Sequence, residues 1–355
     1  MRCGLGKLRE MQHPRNILLG AQARTGVLPV VDHYSGAPKR MQKSLELQAE
    51  LLQEFGACVV DVTLDCEDGA PAGGEVEQAH RVCELLSAHS HAPAQASTNS
   101  APRARIGARV HAVDHAYFES DVAIIVGGAA KALSYVMVPK VESVEDVDQA
   151  VEAIDAAAGD TLVPLHVLIE SPAAVQQAFA IAAHPRVQSL SFGLMDFVSA
   201  HGGAIPAQAM GLRSADDRLT LDQFHHPLVV RAKLEIASAC HAHGKVPSHC
   251  VVTELRDADA IERAARHAAT ALGFTRMWSI HPDQIRPLLR GFAPLASEVD
   301  LAARIVHAAV QAEWAPIAVD GKLHDRASYR YFWQVLERAH QTGQAIPAEL
   351  QPYFV

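Results

Sequence analysis

The feature that most constrains the fold of this chain is a regular alternation of short β-rich runs and longer segments with helical periodicity. Eight runs have the composition of buried strands: 26–32, 58–65, 103–111, 135–140, 162–170, 187–193, 245–252 and 275–280. Helical patterns follow these runs at 39–55, 74–88, 115–130, 143–157, 171–183, 228–243, 257–272 and 282–290. Eight strand–helix repeats with nearly continuous apolar strands predict an α/β fold, and at that count a closed (β/α)8 TIM barrel is favoured over an open doubly wound sheet.

The barrel pattern ends near residue 291, which predicts two parts of unequal size. Residues 1–291 would form the catalytic barrel, and residues 292–355 a mainly helical C-terminal extension that packs on, and contributes to the site of, a neighbouring subunit. Two segments interrupt the repeat. The small, polar residues 91–102 predict a surface loop. Residues 201–227 follow the sixth strand on the face where barrels hold their chemistry, so they are a candidate lid or substrate loop.

Composition excludes several classes of protein. The chain has 31 Lys and Arg against 40 Asp and Glu, a net charge of −9, and only 5% aromatic residues, so nothing supports nucleic-acid binding. The N-terminus carries no apolar stretch of the secretory type, and no run of 18 apolar residues predicts a membrane span. The six cysteines form no C-x-x-C pair, which favours reduced thiols. We therefore expect a cytoplasmic enzyme.

Charged residues follow the predicted strands at the end where barrels do chemistry. They are Asp65, Glu67 and Asp68 after the second strand, Arg109 and His111 at the third, Lys140 at the fourth, Glu170 at the fifth and Asp196 after the sixth. Burying so many charges costs several kcal/mol per ion unless a metal or an opposite charge compensates. A divalent cation is the simplest compensation, and Glu170 and Asp196 are the best pair of hard oxygen ligands for Mg²⁺. Alternatively, Glu170 caps the helix that begins at Ser171–Pro172.

The two cations of this set have two interpretations each. The planar fork of Arg109 could bind a carboxylate or enolate oxygen of a substrate, or it could form a structural salt bridge with Glu67. Lys140 could neutralise an acidic residue in the barrel, or it could have only a structural role. Glu67 and Asp68 would then orient Arg109 and metal-bound water.

Other metal and nucleophile motifs find little support. There are 20 histidines, and His241, His243 and His249 lie close together, but H-E-x-x-H and paired Cys–His spacings are absent, which argues against zinc. The nucleophile elbow G-x-S-x-G is also absent. His281 and Pro282 form either a helix entry or a turn that shapes the ligand site.

Six segments together resemble the citrate lyase β-subunit-like CoA-ester lyases, which include malyl-CoA and citramalyl-CoA lyases of the 2-keto acid aldolase superfamily. They are DVTLDCEDGAP (61–71), RVH (109–111), VMVPKVES (136–143), LIES (168–171), FGLMD (192–196) and SIHPDQI (279–285). The resemblance covers roughly residues 55–330. It implies a Mg²⁺-dependent barrel, with Mn²⁺ as the alternative ion, in a homo-oligomer that is a trimer or a hexamer. Glu170 and Asp196 become the metal ligands, and Arg109, Lys140 and Asp68 the substrate contacts.

The tail segment GKLHD (321–325) is similar to the family's Gly-x-Met-Ile-Asp. There the Asp reaches a neighbouring subunit's site as an acid/base, which would assign that role to Asp325. Arg109 and Glu67 are the other residues for which we expect a catalytic role. The alternative for Asp325 is an N-cap of the helix that follows. The chain departs from the family at His111, where Asn is common, and at Cys66, where Leu is common.

The expected activity is cleavage of a carboxylated 3-hydroxyacyl-CoA to a 2-keto acid and an acyl-CoA, or the reverse reaction. One alternative is a class II aldolase of 2-keto-3-deoxy acids that does not use CoA. Another is a citrate lyase complex subunit that is non-catalytic or depends on an acyl carrier. The expected partner in each case is a small-molecule substrate or a carrier-bound thioester.

Overall fold

A computed structural model describes residues 13–20, 27–90, 103–213 and 219–354, and it contains a closed barrel of eight parallel strands. Each strand pairs with the next in the chain, and the eighth pairs with the first. The strands are β1 (Val31–Ser35), β2 (Val60–Asp65), β3 (Ile106–Arg109), β4 (Tyr135–Val138), β5 (Leu165–Ile169), β6 (Val187–Phe192), β7 (Val246–His249) and β8 (Arg276–Ser279). The predicted TIM barrel is confirmed.

Helices separate the strands and cover the barrel. They are α1 (Pro38–Phe55), α2 (Glu75–Ser90), α3 (Phe118–Asp121), α4 (Gly127–Ala129), α5 (Val144–Ala158), α6 (Pro172–Ala183), α7 (Leu194–Ser199), α8 (Pro227–Ala242), α9 (Ala258–Leu272) and α10 (Pro282–Phe292). Short 3-10 and π segments also occur, at Ala207–Met210 and Val122–Val126. Within the described residues, no helix is long and apolar enough to cross a membrane.

The strands are buried on both faces, and their two faces differ in chemistry. In β2, Val62 and Leu64 belong to the apolar cluster between strands and helices. The alternate residues Asp61, Thr63 and Asp65 make polar contacts with residues of other strands. Since alternate side chains of a barrel strand point inward, β2 presents polar residues to the barrel interior and apolar residues to the helices. Other strands add a buried cluster of Tyr135, Met137, Leu168 and Trp278.

An ion network fills the barrel interior around Arg276 of β8, whose side chain has no exposed surface. Its Nη1 lies 2.6 Å from Asp61 Oδ2, and its Nη2 lies 2.9 Å from Asp32 Oδ2. The Thr63 hydroxyl donates to Asp32 Oδ1 at 2.8 Å. Two carboxylates from β1 and β2 are therefore paired with one arginine of β8, and Asp61 is paired with Arg105 as well.

Two predicted elements need correction. The first strand was expected at 26–32 but lies at Val31–Ser35, because Asp32 turns toward Arg276 and so tolerates burial that hydrophobicity alone does not indicate. The single helix expected at 115–130 is divided by the π-helical segment Val122–Val126. The predicted loop 91–102 lies outside the described residues.

The structure divides the chain into two compact units, and residues 292–355 fall in the smaller one. Its described part contains two long helices, Ala296–Gln311 and Arg326–Gln341, joined through an antiparallel pair of short strands, Ile317–Val319 and Lys322–His324. The N-terminal helix Pro14–Leu19 belongs to this unit as well. That the unit contributes to a neighbouring subunit's site stays a prediction.

The cysteines in the described part of the chain, Cys58, Cys66, Cys83, Cys240 and Cys250, are free. Cys3 lies outside the described residues.

Three buried histidines predict a loss of stability in mild acid. Burial lowers the pKa of His33 to about 4 and holds the pKa values of His166 and His249 well below the usual range. In the unfolded chain these rings titrate near 6.5. Below that pH the unfolded state binds more protons, so the free energy of unfolding should fall by about 1.4 kcal/mol per pH unit for each ring.

Urea denaturation at several pH values between 7.5 and 5 measures this decline. His33→Gln should make it shallower, whereas replacement of the exposed His243 by Asn should leave it unchanged. An equal decline in the wild type and in the His33 variant would contradict the assignment to His33.

Candidate active site

A carboxylate–guanidinium pair lies at the carboxyl ends of β2 and β3. Arg109 donates from Nε and Nη2 to the two oxygens of Asp65, both at 2.6 Å, and its Nη1 lies 3.0 Å from Glu67 Oε2. Asp65 also accepts from the backbone N–H groups of Glu67 and Gly69. Although burial opposes the charge of Arg109, Asp65 and Glu67 raise its pKa. The guanidinium is therefore permanently charged and held in one orientation.

Tyr34 of β1 lies against this pair and was not predicted as a site residue. Its ring centroid is 5.1 Å from the Arg109 guanidinium carbon. Burial raises the pKa of Tyr34 to about 12, so the phenol stays neutral. Its position near the end of β1 could have indicated it, but the predicted first strand ended at residue 32.

Lys140 connects this pair to the next carboxylates. Its ammonium contacts Glu67 and lies 3.3 Å from Asp68 Oδ2, while its backbone N–H donates to Glu170 Oε1 at 3.0 Å. Lys140 has a φ of 54°, a left-handed conformation that costs roughly 1–2 kcal/mol outside glycine. This conformation directs the N–H to Glu170 and the side chain to the acidic residues after β2.

The predicted metal ligands, Glu170 and Asp196, are in contact. Glu170 is 6% exposed, and its carboxyl group interacts with that of Asp196. Burial, followed by the charge of Asp196, raises the pKa of Glu170 to about 8. Two carboxyl groups this close must share a proton or a cation. Their oxygens are the ligands that Mg²⁺ prefers, so this donor set fits a divalent ion.

The protein supplies few ligands beyond this pair. Over the described ranges there is no group of three or more His, Cys, Asp or Glu residues arranged around a metal position. An ion at Glu170 and Asp196 would therefore complete its coordination with water or substrate oxygens, as Mg²⁺ commonly does.

The Glu170 side chain lies against the backbone of Gly193, so we expect that a larger residue at position 193 disturbs the proposed metal site. A Cβ at residue 193 would lie 2.6 Å from Glu170 Cγ and Oε2. Because Glu170 is buried and held by the Lys140 N–H, Gly193→Ala should displace the carboxylate and weaken Mg²⁺ binding at least tenfold, a loss comparable with that of residues supporting metal ligands. Isothermal titration with Mg²⁺ measures this. Gly127→Ala, at a helical position with open space, is the control, and equal affinity of both variants would contradict the expectation.

A cavity of about 390 Å³ opens beside these residues. Its lining includes Glu67, Asp68, Glu75, His111, His115 and Lys140. His111 is paired with Asp121 of α3, a residue that the sequence did not indicate, since one acidic residue in a helical pattern usually faces solvent.

The structure brings most of the predicted residues together. One continuous set of contacts joins six of them: Glu67, Asp68, Arg109, Lys140, Glu170 and Asp196. The helix after β5 is capped by Ser171, so the alternative that Glu170 caps it is wrong. His281 precedes the helix that begins at Pro282 and accepts from the Asp283 N–H, which is a helix entry.

Asp325 lies in the smaller unit, at the start of the helix Arg326–Gln341. Its Oδ1 accepts from the backbone N–H groups of Ala327 at 3.0 Å and Ser328 at 3.4 Å. The N-cap interpretation is confirmed. An additional acid/base role in a neighbouring subunit stays a prediction.

Three known proteins are similar to this chain in sequence or in structure. The chain is 27% identical over 308 residues to an L-malyl-CoA/β-methylmalyl-CoA lyase of Cereibacter sphaeroides, covering 81% of this chain and 90% of the relative. A citrate lyase structure from Burkholderia xenovorans is 44% identical, with a TM-score of 0.75, and the match covers 96% and 99% of the two chains. The protein CitE from Mycobacterium tuberculosis, in complex with magnesium, acetoacetate and coenzyme A, shares the fold at 21% identity, with a TM-score of 0.61 and coverage of 88% and 98%.

The model of the HpcH/HpaI aldolase/citrate lyase family matches residues 48–282, which is more than half of the chain. The protein therefore belongs to the HpcH/HpaI aldolase/citrate lyase family and is an enzyme of the lyase class.

Proposed function

We propose that this enzyme is a divalent-metal-dependent carbon–carbon lyase of CoA esters. It cleaves, or forms, a carboxylated 3-hydroxyacyl-CoA, with a 2-keto acid and an acyl-CoA as the other side of the reaction. The observation that carries the proposal is the buried contact between Glu170 and Asp196 at the same barrel mouth as Arg109. The malyl-CoA lyase among the relatives supports the CoA-ester class.

Glu170 and Asp196 would hold Mg²⁺, or alternatively Mn²⁺, which as a Lewis acid polarises bound substrate oxygens. Arg109 faces the negative charge that develops on the thioester oxygen when the carbon–carbon bond breaks. Asp65 accepts from Nε and Nη2, and Glu67 is paired with Nη1, so the second N–H of Nη1 would donate to that oxygen. Because Asp65 and Glu67 fix the guanidinium beforehand, little reorganisation accompanies the reaction.

Lys140 and Asp68 are the proposed substrate contacts at the rim, where their side chains are 40% and 61% exposed. Glu67 holds both Arg109 and Lys140 in place. Asp325 of a neighbouring subunit is proposed to exchange a proton with the carbon of the acyl-CoA fragment, in a trimeric or hexameric enzyme.

The test is an assay of 2-keto acid release by the purified protein with Mg²⁺ and a panel of malyl-, citramalyl- and citryl-CoA. We expect keto acid from at least one CoA ester and none after EDTA treatment. Turnover of CoA-free 2-keto-3-deoxy acids would show the aldolase alternative instead. Turnover of carrier-bound thioesters alone would show a subunit of a citrate lyase complex, and release of CoA without a keto acid would show hydrolysis.

A further inference from the structure

The proposed reaction, on which this inference rests, needs a base for the hydroxyl proton of the substrate. The carboxylates at the barrel mouth are poorly suited to this task. Asp65 binds Arg109 and two backbone N–H groups, and Glu67 contacts both Arg109 and Lys140. Glu170 and Asp196 are the proposed metal ligands. The oxygens of Asp65 and Glu67 are thus already engaged with cations and N–H donors.

Cys66 also lines the cavity but cannot serve. Burial, followed by the charges of Asp121 and Asp65, raises its pKa well above the usual range, so the thiol stays protonated. It is neither a base nor an activated nucleophile.

His111 offers the missing acceptor. It lies two residues beyond β3 and lines the same cavity as Glu67 and Lys140. Its Nδ1 is 2.6 Å from Asp121 Oδ2, which also accepts the His111 backbone N–H at 3.0 Å. A carboxylate on Nδ1 keeps the proton on that nitrogen, so the neutral ring has its lone pair on Nε2. This is the relation between carboxylate and imidazole in catalytic triads, where the imidazole is the base.

The local backbone supports the same pairing. Asp121 has no exposed surface and is the last residue of α3, directly before the π-helical segment Val122–Val126. Such wide turns occur frequently at functional sites. The ring of His111 is further held by stacking on His115, with centroids 4.4 Å apart and planes 8° apart.

The charges around the ring favour acceptance of a proton. Burial opposes the imidazolium, but the hydrogen bond and charge of Asp121, followed by the charges of Glu67 and Glu75, raise the pKa of His111. Asp68, Asp114, His115 and Lys140 also line this cavity, and Lys140 is already paired with Glu67 and Asp68.

We propose that His111 is the catalytic base that accepts the substrate hydroxyl proton on Nε2, with Asp121 as its positioning residue. In cleavage the O–H bond breaks and an N–H bond forms on the imidazole. The oxygen becomes the carbonyl of the 2-keto acid, and the carbon–carbon bonding pair leaves with the thioester fragment as its enolate. In condensation the imidazolium returns the proton to the new alkoxide.

The first test compares two reactions of His111→Asn in the Mg²⁺-loaded enzyme. Cleavage of the CoA ester that the wild type uses should fall about 100-fold or more, the usual contribution of a general base. Exchange of the acetyl-CoA methyl hydrogens with D₂O involves no substrate hydroxyl and should stay within a factor of a few. His243→Asn, an exposed histidine outside the site, is the control for both rates. Unchanged cleavage, or an equal loss of cleavage and exchange, would overturn the assignment.

The second test uses the pH dependence of kcat/KM for cleavage. The wild type should lose activity as His111 becomes protonated, and this ionisation should be absent in His111→Asn. In Asp121→Asn it should move to lower pH with a reduced kcat, because the charge that favours the imidazolium is gone. A lower kcat without a shift would mean that Asp121 has only a structural role and would overturn the dyad. A wild type that releases no keto acid from any CoA ester would instead overturn the proposed function.

Discussion

Replacement of Glu170 by glutamine is expected to abolish metal-dependent turnover and leave the barrel folded. The amide cannot supply the negative charge that Mg²⁺ needs from its ligand pair. The Lewis-acid contribution of such an ion amounts to several kcal/mol, so the rate should fall about 1000-fold. Folding should not suffer, because the substitution removes a buried carboxyl group that is in contact with Asp196.

Keto acid release at saturating Mg²⁺ measures the effect, and thermal denaturation checks the fold. Glu152→Gln, on the exposed face of α5, is the matched control and should keep full activity. Undiminished Mg²⁺-dependent turnover of Glu170→Gln would contradict the metal assignment.

Replacement of Arg276 by methionine is expected to destabilise the protein by about 3–5 kcal/mol, as found when one partner of a buried ion network is removed. The substitution fills most of the volume but leaves Asp32 and Asp61 without their cation inside the barrel. Asp61 would keep only its contact with Arg105, at 3.0 Å. The loss should appear in the free energy of unfolding and not depend on substrate or metal.

Urea denaturation measures this loss. Arg286→Met is the control, since Arg286 pairs with Glu54 on the exposed surface and its loss should change stability little. If Arg276→Met does not fold, the triple variant with Asp32→Asn and Asp61→Asn should recover folding, because the unpaired charges are then removed. A stability of Arg276→Met equal to that of the control would contradict the central role of this network.

The sequence predicted the barrel because eight short β-rich runs alternate with segments of helical periodicity. It also predicted which side chains meet, since parallel strands place their carboxyl ends at one mouth. Arg109 is the last residue of β3, and Lys140 and Glu170 follow β4 and β5. The predicted ends of strands were less accurate where a charged residue is buried because it forms an ion pair. Asp32 ended the predicted first strand, although Arg276, far away in sequence, compensates it inside the barrel.

Asp121 and Tyr34 were missed for a related reason. An acidic residue within a helical pattern is usually exposed, and only the three-dimensional structure shows that Asp121 is buried and paired with His111. Tyr34 was missed because the predicted first strand ended before it. Its contact with Arg109 depends on the pairing of β1 with β2 in the barrel. Contacts between residues far apart in sequence depend on which elements lie side by side, and local periodicity does not show this.

The central claim is that Glu170 and Asp196 bind one divalent ion at the barrel mouth. Titration of the protein with Mn²⁺, followed by electron paramagnetic resonance of the free ion, tests it without any assumption about the substrate. The wild type should bind one ion per chain, and both Glu170→Gln and Asp196→Asn should lose this binding while Glu152→Gln retains it. Unaltered Mn²⁺ affinity in both ligand variants would contradict the claim.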